Sequence, residues 1–215
     1  MCIIFLIYVY LLYLHSDFFL LSARHRSGVR WRVFTMKTIT VLATGESLYD
    51  YLLHPLDFQT IGVNNIQQFI KTDYIVCVDL PKRFPPEKLK IICESECRKF
   101  YSPYIAWLDL QPYFKLMPLS KDGRGNLTNL NNRRICYSNN SAFVAVVKAF
   151  KKGAKRIIIY GADFLTHPDL SKELMRKRAV NDFINLHREL NKRGVDLFVG
   201  SKKTALYPAI PLITF

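Results

Sequence analysis

Acidic residues are scarce in this chain. Seventeen Asp+Glu stand against 31 Lys+Arg, a formal net charge of +14 over 215 residues. An excess of that size suits anionic partners such as nucleotides, nucleic acid or acidic glycans; it does not choose among them, or between them and a merely solvated basic face. Cysteine is sparse too. Cys2, Cys77, Cys93, Cys97 and Cys136 make an odd set with no framework of spacings, which excludes a disulfide scaffold and favours reduced thiols in a cytoplasm. Cys93 and Cys97 stand at i, i+4, as half a metal site on a helix would, but no second Cys/His pair is placed to complete it. The chain has no Asp-x-Asp metal clamp, no internal repeat and no low-complexity tract. Half of its residues are apolar, which excludes a disordered chain.

An uninterrupted membrane span is also missing. Met1–Leu14 is almost wholly apolar and aromatic, but His15-Ser16-Asp17 breaks it before Phe18–Leu21 resume. A span needs about 20 consecutive apolar residues. The stretch has neither a basic start nor a small-residue cleavage site, so it does not read as a secretory signal. Met36-Lys37-Thr38 looks like a natural start directly before a first strand. Residues 1–35 are therefore expected to be an upstream translation or nonessential extension of a cytoplasmic protein. The alternative is a membrane anchor through residues 1–22, with Arg24–Arg32 as its positive flank. Residues 36–215 keep 27 Lys+Arg against 16 Asp+Glu and are long enough for one domain with its own core.

The organising stretch is Thr38–Leu48. Thr38–Ala43 is a β-rich apolar run, broken at Thr44-Gly45-Glu46-Ser47, after which Leu48, Leu52 and Leu53 fall at helical spacing. That reads as strand, tight glycine turn, helix. Such a turn aims backbone N–H groups and a helix dipole at whatever lies beyond the strand, and a phosphate fits there; the plain alternative is a turn that only connects. Further strands are expected at Phe58–Val63, Asp73–Val78, Lys155–Tyr160 and Val195–Val199. Helices are expected at Glu87–Cys97, opened by Pro86, at Ala142–Lys152 behind the start signal Ser138-Asn139-Asn140-Ser141, and at Lys172–Arg193, with Leu174, Phe183, Leu186 and Leu190 facing inward. Three strands thus end in Gly45, Asn64 and Asp79, and the carboxyl ends of strands are where open α/β sheets bind ligands. Asn and Asp are also good turn residues in their own right. Residues 99–135 give no clear element, and a mobile basic loop is expected near 119–133. Strands alternating with helices define an α/β, doubly wound sheet.

From Met36 to Phe215 the order of these motifs resembles the small Rossmann-like (GT-A-like) glycosyltransferases, in particular the bacterial sialyltransferases of family 42 and related phage proteins whose first loop reads Gly-Pro-Ser-Leu. Here that loop is Gly45-Glu46-Ser47-Leu48, with Glu46 in place of Pro. Asn64 matches the nucleotide-facing Asn that ends the family's second strand. Asp79 stands where the third strand ends in Asn. Asn140-Ser141 match the phosphate-binding pair at a helix start, and Gly161-Ala162-Asp163-Phe164 match Gly-x-Asp-Phe. The family's catalytic His before the last long helix has no counterpart in Lys172–Arg178. Archaeal pterin pyrophosphokinase-like domains share the same fold and opening glycine loop.

The resemblance implies a nucleotide-sugar donor as co-substrate and no resident cofactor, with Mg²⁺ not required. Thr44, Gly45, Ser47, Asn64, Asp79, Asn140, Ser141 and Gly161 are the expected nucleotide-binding residues. Asp163 and His167 are the expected catalytic candidates, either of which would take the proton of an acceptor hydroxyl as general base. A glycan or modified DNA is the expected acceptor. Two other functions fit the same residues: a nucleotide-dependent pyrophosphokinase, and a non-enzymatic nucleic-acid-binding or virion-associated protein.

Overall fold

The computed structural model describes residues 36–120, 130, 133–136, 140–165 and 173–214. Residues 1–35 and residues 121–129, the latter within the loop expected near 119–133, lie outside them. Met36–Phe215 is one compact unit.

The first β-rich run forms β1 (Thr38–Leu42), followed by the short helix α1 (Leu48–Leu53). Next come β2 (Gln59–Val63), a 3-10 turn at Ile66–Gln68 and β3 (Tyr74–Val76). Helix α2 (Pro86–Cys93) leads into β4 (Lys99–Ser102), a 3-10 turn at Ile105–Trp107 and β5 (Phe114–Leu116). After the small strands β6 (Leu119–Ser120) and β7 (Ile135–Cys136) come α3 (Ser141–Lys151), β8 (Arg156–Tyr160), α4 (Glu173–Asn191) and β9 (Asp196–Val199). Seven strands make one parallel sheet in the order β5-β4-β3-β2-β1-β8-β9, and β6 pairs with β7 beside it. The fold is the expected Rossmann-like α/β sheet.

Period-2 alternation sends each strand's apolar residues to both faces, because helices cover both. On one face Ile39, Val41, Ile61, Val76, Ile157 and Ile159 meet α3 through Phe143, Val146 and Val147, and α4 through Phe183, Leu186 and Leu190. On the other face Leu42, Ile158 and Tyr160 take Leu48 and Tyr51 of α1, while Ile75 and Phe100 take Ile92 and Trp107. Helix α3 is apolar almost all round because β6–β7 flank it as well as the sheet.

Several expectations are corrected. Helix α2 ends at Cys93 and does not run to Cys97. The Ile92 carbonyl is taken by the Ser95 hydroxyl at 2.7 Å and the Gln111 amide at 2.8 Å, so the chain turns away there and the i, i+4 relation of Cys93 and Cys97 dissolves. In α1 the buried partner of Leu48 is Tyr51, while Leu53 is 73% exposed. In α4 Leu174 is 59% exposed, whereas Phe183, Leu186 and Leu190 are fully buried. Residues 99–116, unreadable in sequence, supply two sheet strands and a buried Trp107.

Candidate functional site

Strand order reverses at β1: β2 to β5 build outward on one side, and β8 and β9 return on the other. The crevice between the carboxyl ends of β1 and β8 is therefore the topological switch point, where such sheets bind ligands. The structure brings Gly45, Ser47, Gly161 and Asp163 together at this point. The Ala43 amide donates to the Tyr160 carbonyl at 2.9 Å, and the Gly45 amide to the Gly161 carbonyl at 2.8 Å. The two loops so continue the sheet pairing beyond its last residues.

Ser47 and Asp163 close the crevice. The Ser47 amide donates to Asp163 Oδ2 at 2.8 Å, its hydroxyl donates to Asp163 Oδ1, and the Gly161 amide donates to Ser47 Oγ at 2.7 Å. Ser47 is 2% exposed. Its two donors, expected to face a phosphate, face the protein's own carboxylate instead. Burial pushes the Asp163 carboxyl above its ordinary range, and the Ser47 donors only partly offset this. The close approach explains both glycines. A Cβ on Gly45 would stand 2.6 Å from Asp163 Oδ2 and from the Gly161 carbonyl; one on Gly161, whose φ is +73°, would stand 2.0 Å from the Ala43 carbonyl. From behind, the Thr204 hydroxyl donates to the Ala162 carbonyl at 3.0 Å, and the Ala205 amide to the Asp163 carbonyl at 2.6 Å.

Asn64 lies at the end of β2, beside the end of β1. Its φ is +52°, a left-handed conformation that a non-glycine residue rarely holds. Its amide donates to the Val76 carbonyl at 3.1 Å, while its buried side-chain Oδ1 has no partner among the described residues. A left-handed backbone and an unmatched acceptor at a strand's carboxyl end make Asn64 a candidate ligand contact. Asp79 follows β3. Its carbonyl accepts the Trp107 indole N–H at 2.9 Å, and its carboxylate lies 3.4 Å from Arg83 Nη1. Thr44 is exposed at the mouth of the crevice.

Asn140 caps α3, accepting the Phe143 amide at 3.0 Å on its side-chain oxygen. Ser141 and Ala142, ahead of that donor, open the positive end of an eleven-residue helix. His167 lies outside the described residues.

Sequence reasoning missed one cluster at this edge. The Ser201 hydroxyl donates to Asp50 Oδ2 at 2.5 Å, and Lys203 Nζ to Asp50 Oδ1 at 3.0 Å. These bonds tie α1 to the loop after β9 and hold the Asp50 carboxyl below its ordinary range. The Gly200-Ser201-Lys202-Lys203 run was the available signal. A shallow concavity lined by Thr60, Asp73, Cys97, Arg98 and Tyr113 lies at the opposite, amino edge of the sheet. There Asp73 accepts the Thr60 amide at 2.9 Å and pairs with Arg98 at 3.2 Å. Among the described residues no group of three His, Cys, Asp or Glu stands together as a metal site would require.

Solved structures share this fold. The sialyltransferase CstII from Campylobacter jejuni, in complex with the substrate analogue CMP-3FNeuAc, matches with a TM-score of 0.53 and 20% identity over 83% of this chain and 87% of that one. CstII in complex with a trisaccharide acceptor and CMP matches with a TM-score of 0.52 at 17% identity, covering 83% and 86%. The apo alpha-2,3-sialyltransferase from the same organism gives 0.51 at 17%, covering 83% and 80%. No family model and no curated protein matches the chain. The chain therefore has the fold of the sialyltransferase structures, at an identity that speaks for fold alone.

Proposed function

We propose that this protein is a nucleotide-sugar-dependent glycosyltransferase that binds its donor at the carboxyl edge of the sheet and needs no metal. The observation that carries the reading is Asn64, left-handed and with a buried side-chain oxygen unmatched, at the edge where this fold binds ligands. The CMP and acceptor complexes of the sialyltransferase structures support it by analogy of fold.

In this reading Asn64 and Asp79 hold the nucleoside. The N-terminus of α3, with Asn140 and Ser141, receives the phosphate, whose charge grows as the glycosidic bond breaks; stabilising that growing charge is usually the largest catalytic term. Thr44 and Gly45 border the donor. Both oxygens of Asp163 accept from Ser47, so Asp163 acts as a positioning residue that fixes the Gly45 and Gly161 turns. The general base falls to His167, the other candidate, which would take the acceptor hydroxyl's proton as the oxygen attacks the sugar's anomeric carbon. The acceptor is a glycan or modified nucleic acid.

The test is turnover by the full chain. Nucleotide release from cytidine and uridine sugar donors is followed with glycan and DNA acceptors, in EDTA. Release that persists in EDTA and falls roughly 10²–10⁴-fold in His167→Ala, as loss of a general base requires, supports the proposal. In a parallel assay with Mg²⁺ and without EDTA, turnover of ATP and of no nucleotide sugar contradicts it in favour of a pyrophosphokinase.

A further inference from the structure

Trp107 is fully buried, on the 3-10 turn between β4 and β5. Its amide donates to the Tyr104 carbonyl at 3.3 Å, and its carbonyl accepts the Leu110 amide at 3.2 Å. Phe100 of β4 packs against the indole with ring centroids 5.1 Å apart, and Phe84 meets it edge-on at 6.0 Å. A few residues on, Gln111 is buried and donates its amide to the Ile92 carbonyl at 2.8 Å and the Ser95 hydroxyl at 3.0 Å. Backbone bonds, flanking rings and this buried amide fix the indole in one place.

A buried indole N–H takes an acceptor wherever it lies. Here the acceptor is the carbonyl of Asp79, 28 residues earlier in the chain, at 2.9 Å. Cys77 Sγ approaches the same carbonyl at 3.7 Å. Pairing between β3 and β4 continues to this point, with the Cys77 amide donating to the Tyr101 carbonyl at 2.9 Å. The main chain of Asp79 is therefore held where the sheet ends. Its carboxylate is held less firmly: it is 34% exposed and meets Arg83 at 3.4 Å, and exposed ion pairs contribute little. A phenylalanine at 107 would fill most of the same space, but only the indole gives the Asp79 carbonyl this donor.

We infer that Trp107 is a positioning residue for nucleoside binding: its indole N–H fixes the Asp79 main chain and so sets where the Asp79 carboxylate stands. The inference rests on the transferase reading, in which Asp79 holds the nucleoside. A carboxylate only accepts hydrogen bonds. It serves ribose hydroxyls or base N–H groups only when aimed at them, and a partly exposed side chain is aimed by the main chain it hangs from. Trp107 is buried beneath this position, and its effect on affinity passes through Asp79.

The experiment is isothermal titration of the full chain with the monophosphates of cytidine, uridine, guanosine, adenosine and thymidine. It compares wild type, Trp107→Phe, Asp79→Ala and the double variant. A hydrogen bond of this kind is worth roughly threefold to tenfold in an equilibrium constant, and Trp107→Phe should raise the Kd of the bound nucleotide by about that factor. In the Asp79→Ala background Trp107→Phe should add nothing, because no carboxylate is left to aim. A merely structural role for Trp107 predicts instead that the two effects multiply. Where Trp107→Phe does not fold, the Trp31→Phe chain serves, in which Trp107 is the one remaining tryptophan; its emission should change as the nucleotide binds. Equal Kd for wild type and Trp107→Phe, multiplying effects, or an emission that ignores bound nucleotide overturns the inference and leaves the transferase reading intact. A wild type that binds no nucleotide overturns both.

Discussion

Ser47 gives both its amide and its hydroxyl to the single carboxylate of Asp163, 116 residues further along the chain. That pair joins the turn after β1 to the turn after β8 at the point where strand order reverses. The N-terminus of a six-residue helix is thus neutralised from within the protein. The pair also sets the width of the crevice, because Gly45 and Gly161 touch directly beneath it.

Asp163→Asn keeps the shape and removes the charge, and it turns one acceptor into a donor facing Ser47. Hydrogen bonds to a charged group contribute roughly 1.5–3 kcal/mol, so a loss of about 2 kcal/mol is expected in urea denaturation. Unchanged stability would contradict the role given to this pair.

Gly161→Ala and Gly153→Ala form a matched comparison. Both positions have positive φ, +73° and +83°, but a Cβ at 153 meets nothing within 4 Å, while one at 161 meets the Ala43 carbonyl at 2.0 Å. Left-handed backbone alone costs a non-glycine residue roughly 1–2 kcal/mol. Gly153→Ala should lose about that amount, and Gly161→Ala clearly more, read from the two melting temperatures.

The Asp50 carboxyl is lowered chiefly by the Ser201 hydrogen bond and then by Lys203. A carboxylate whose folded pKa is depressed stabilises the fold above its unfolded value and loses that contribution as pH falls through the folded one. Urea midpoints from pH 6 to pH 3 should therefore fall more steeply for wild type than for Asp50→Asn, with the advantage of wild type shrinking below about pH 4, near the ordinary value of 3.8. Asp163, whose carboxyl is raised chiefly by burial, works in the opposite direction. Its contribution weakens as pH rises from the unfolded value through the raised folded one, so Asp163→Asn should flatten that part of the curve.

Much of the fold was legible in the sequence, for physical reasons. β1, β8 and α3 carry long apolar runs bounded by strong signals: Gly45, Gly161 and the Asn140 cap. β4 and β5 were not legible. Lys99-Phe100-Tyr101-Ser102 and Phe114-Lys115-Leu116 are short, mixed in polarity and close to the sheet edge, where one face meets solvent and periodicity fades. At the site, the strand-end positions Gly45, Asn64 and Asp79 could be placed from sequence. The left-handed turn at Asn64 had its signal too, since Asn tolerates that conformation better than most residues. The Ser47–Asp163 clamp and the Asp50–Ser201–Lys203 tie could not be read, because each joins residues more than a hundred positions apart. Cys93 and Cys97 show the converse: a spacing that suggested a helix face was broken by side chains capturing the Ile92 carbonyl.

The most direct test is the thermal shift of the full chain with nucleotide sugars, in wild type and Asn64→Gly. Glycine adopts φ +52° without strain, so this variant keeps the turn and removes only the unmatched side chain. At 100 times its Kd a donor adds roughly 2.7 kcal/mol. The account predicts a clear rise in melting temperature for wild type, and little or none for Asn64→Gly at the same concentration, with the unliganded melting temperature of the variant equal or higher. Equal stabilisation of both proteins, or none of either by any nucleotide sugar, would contradict it.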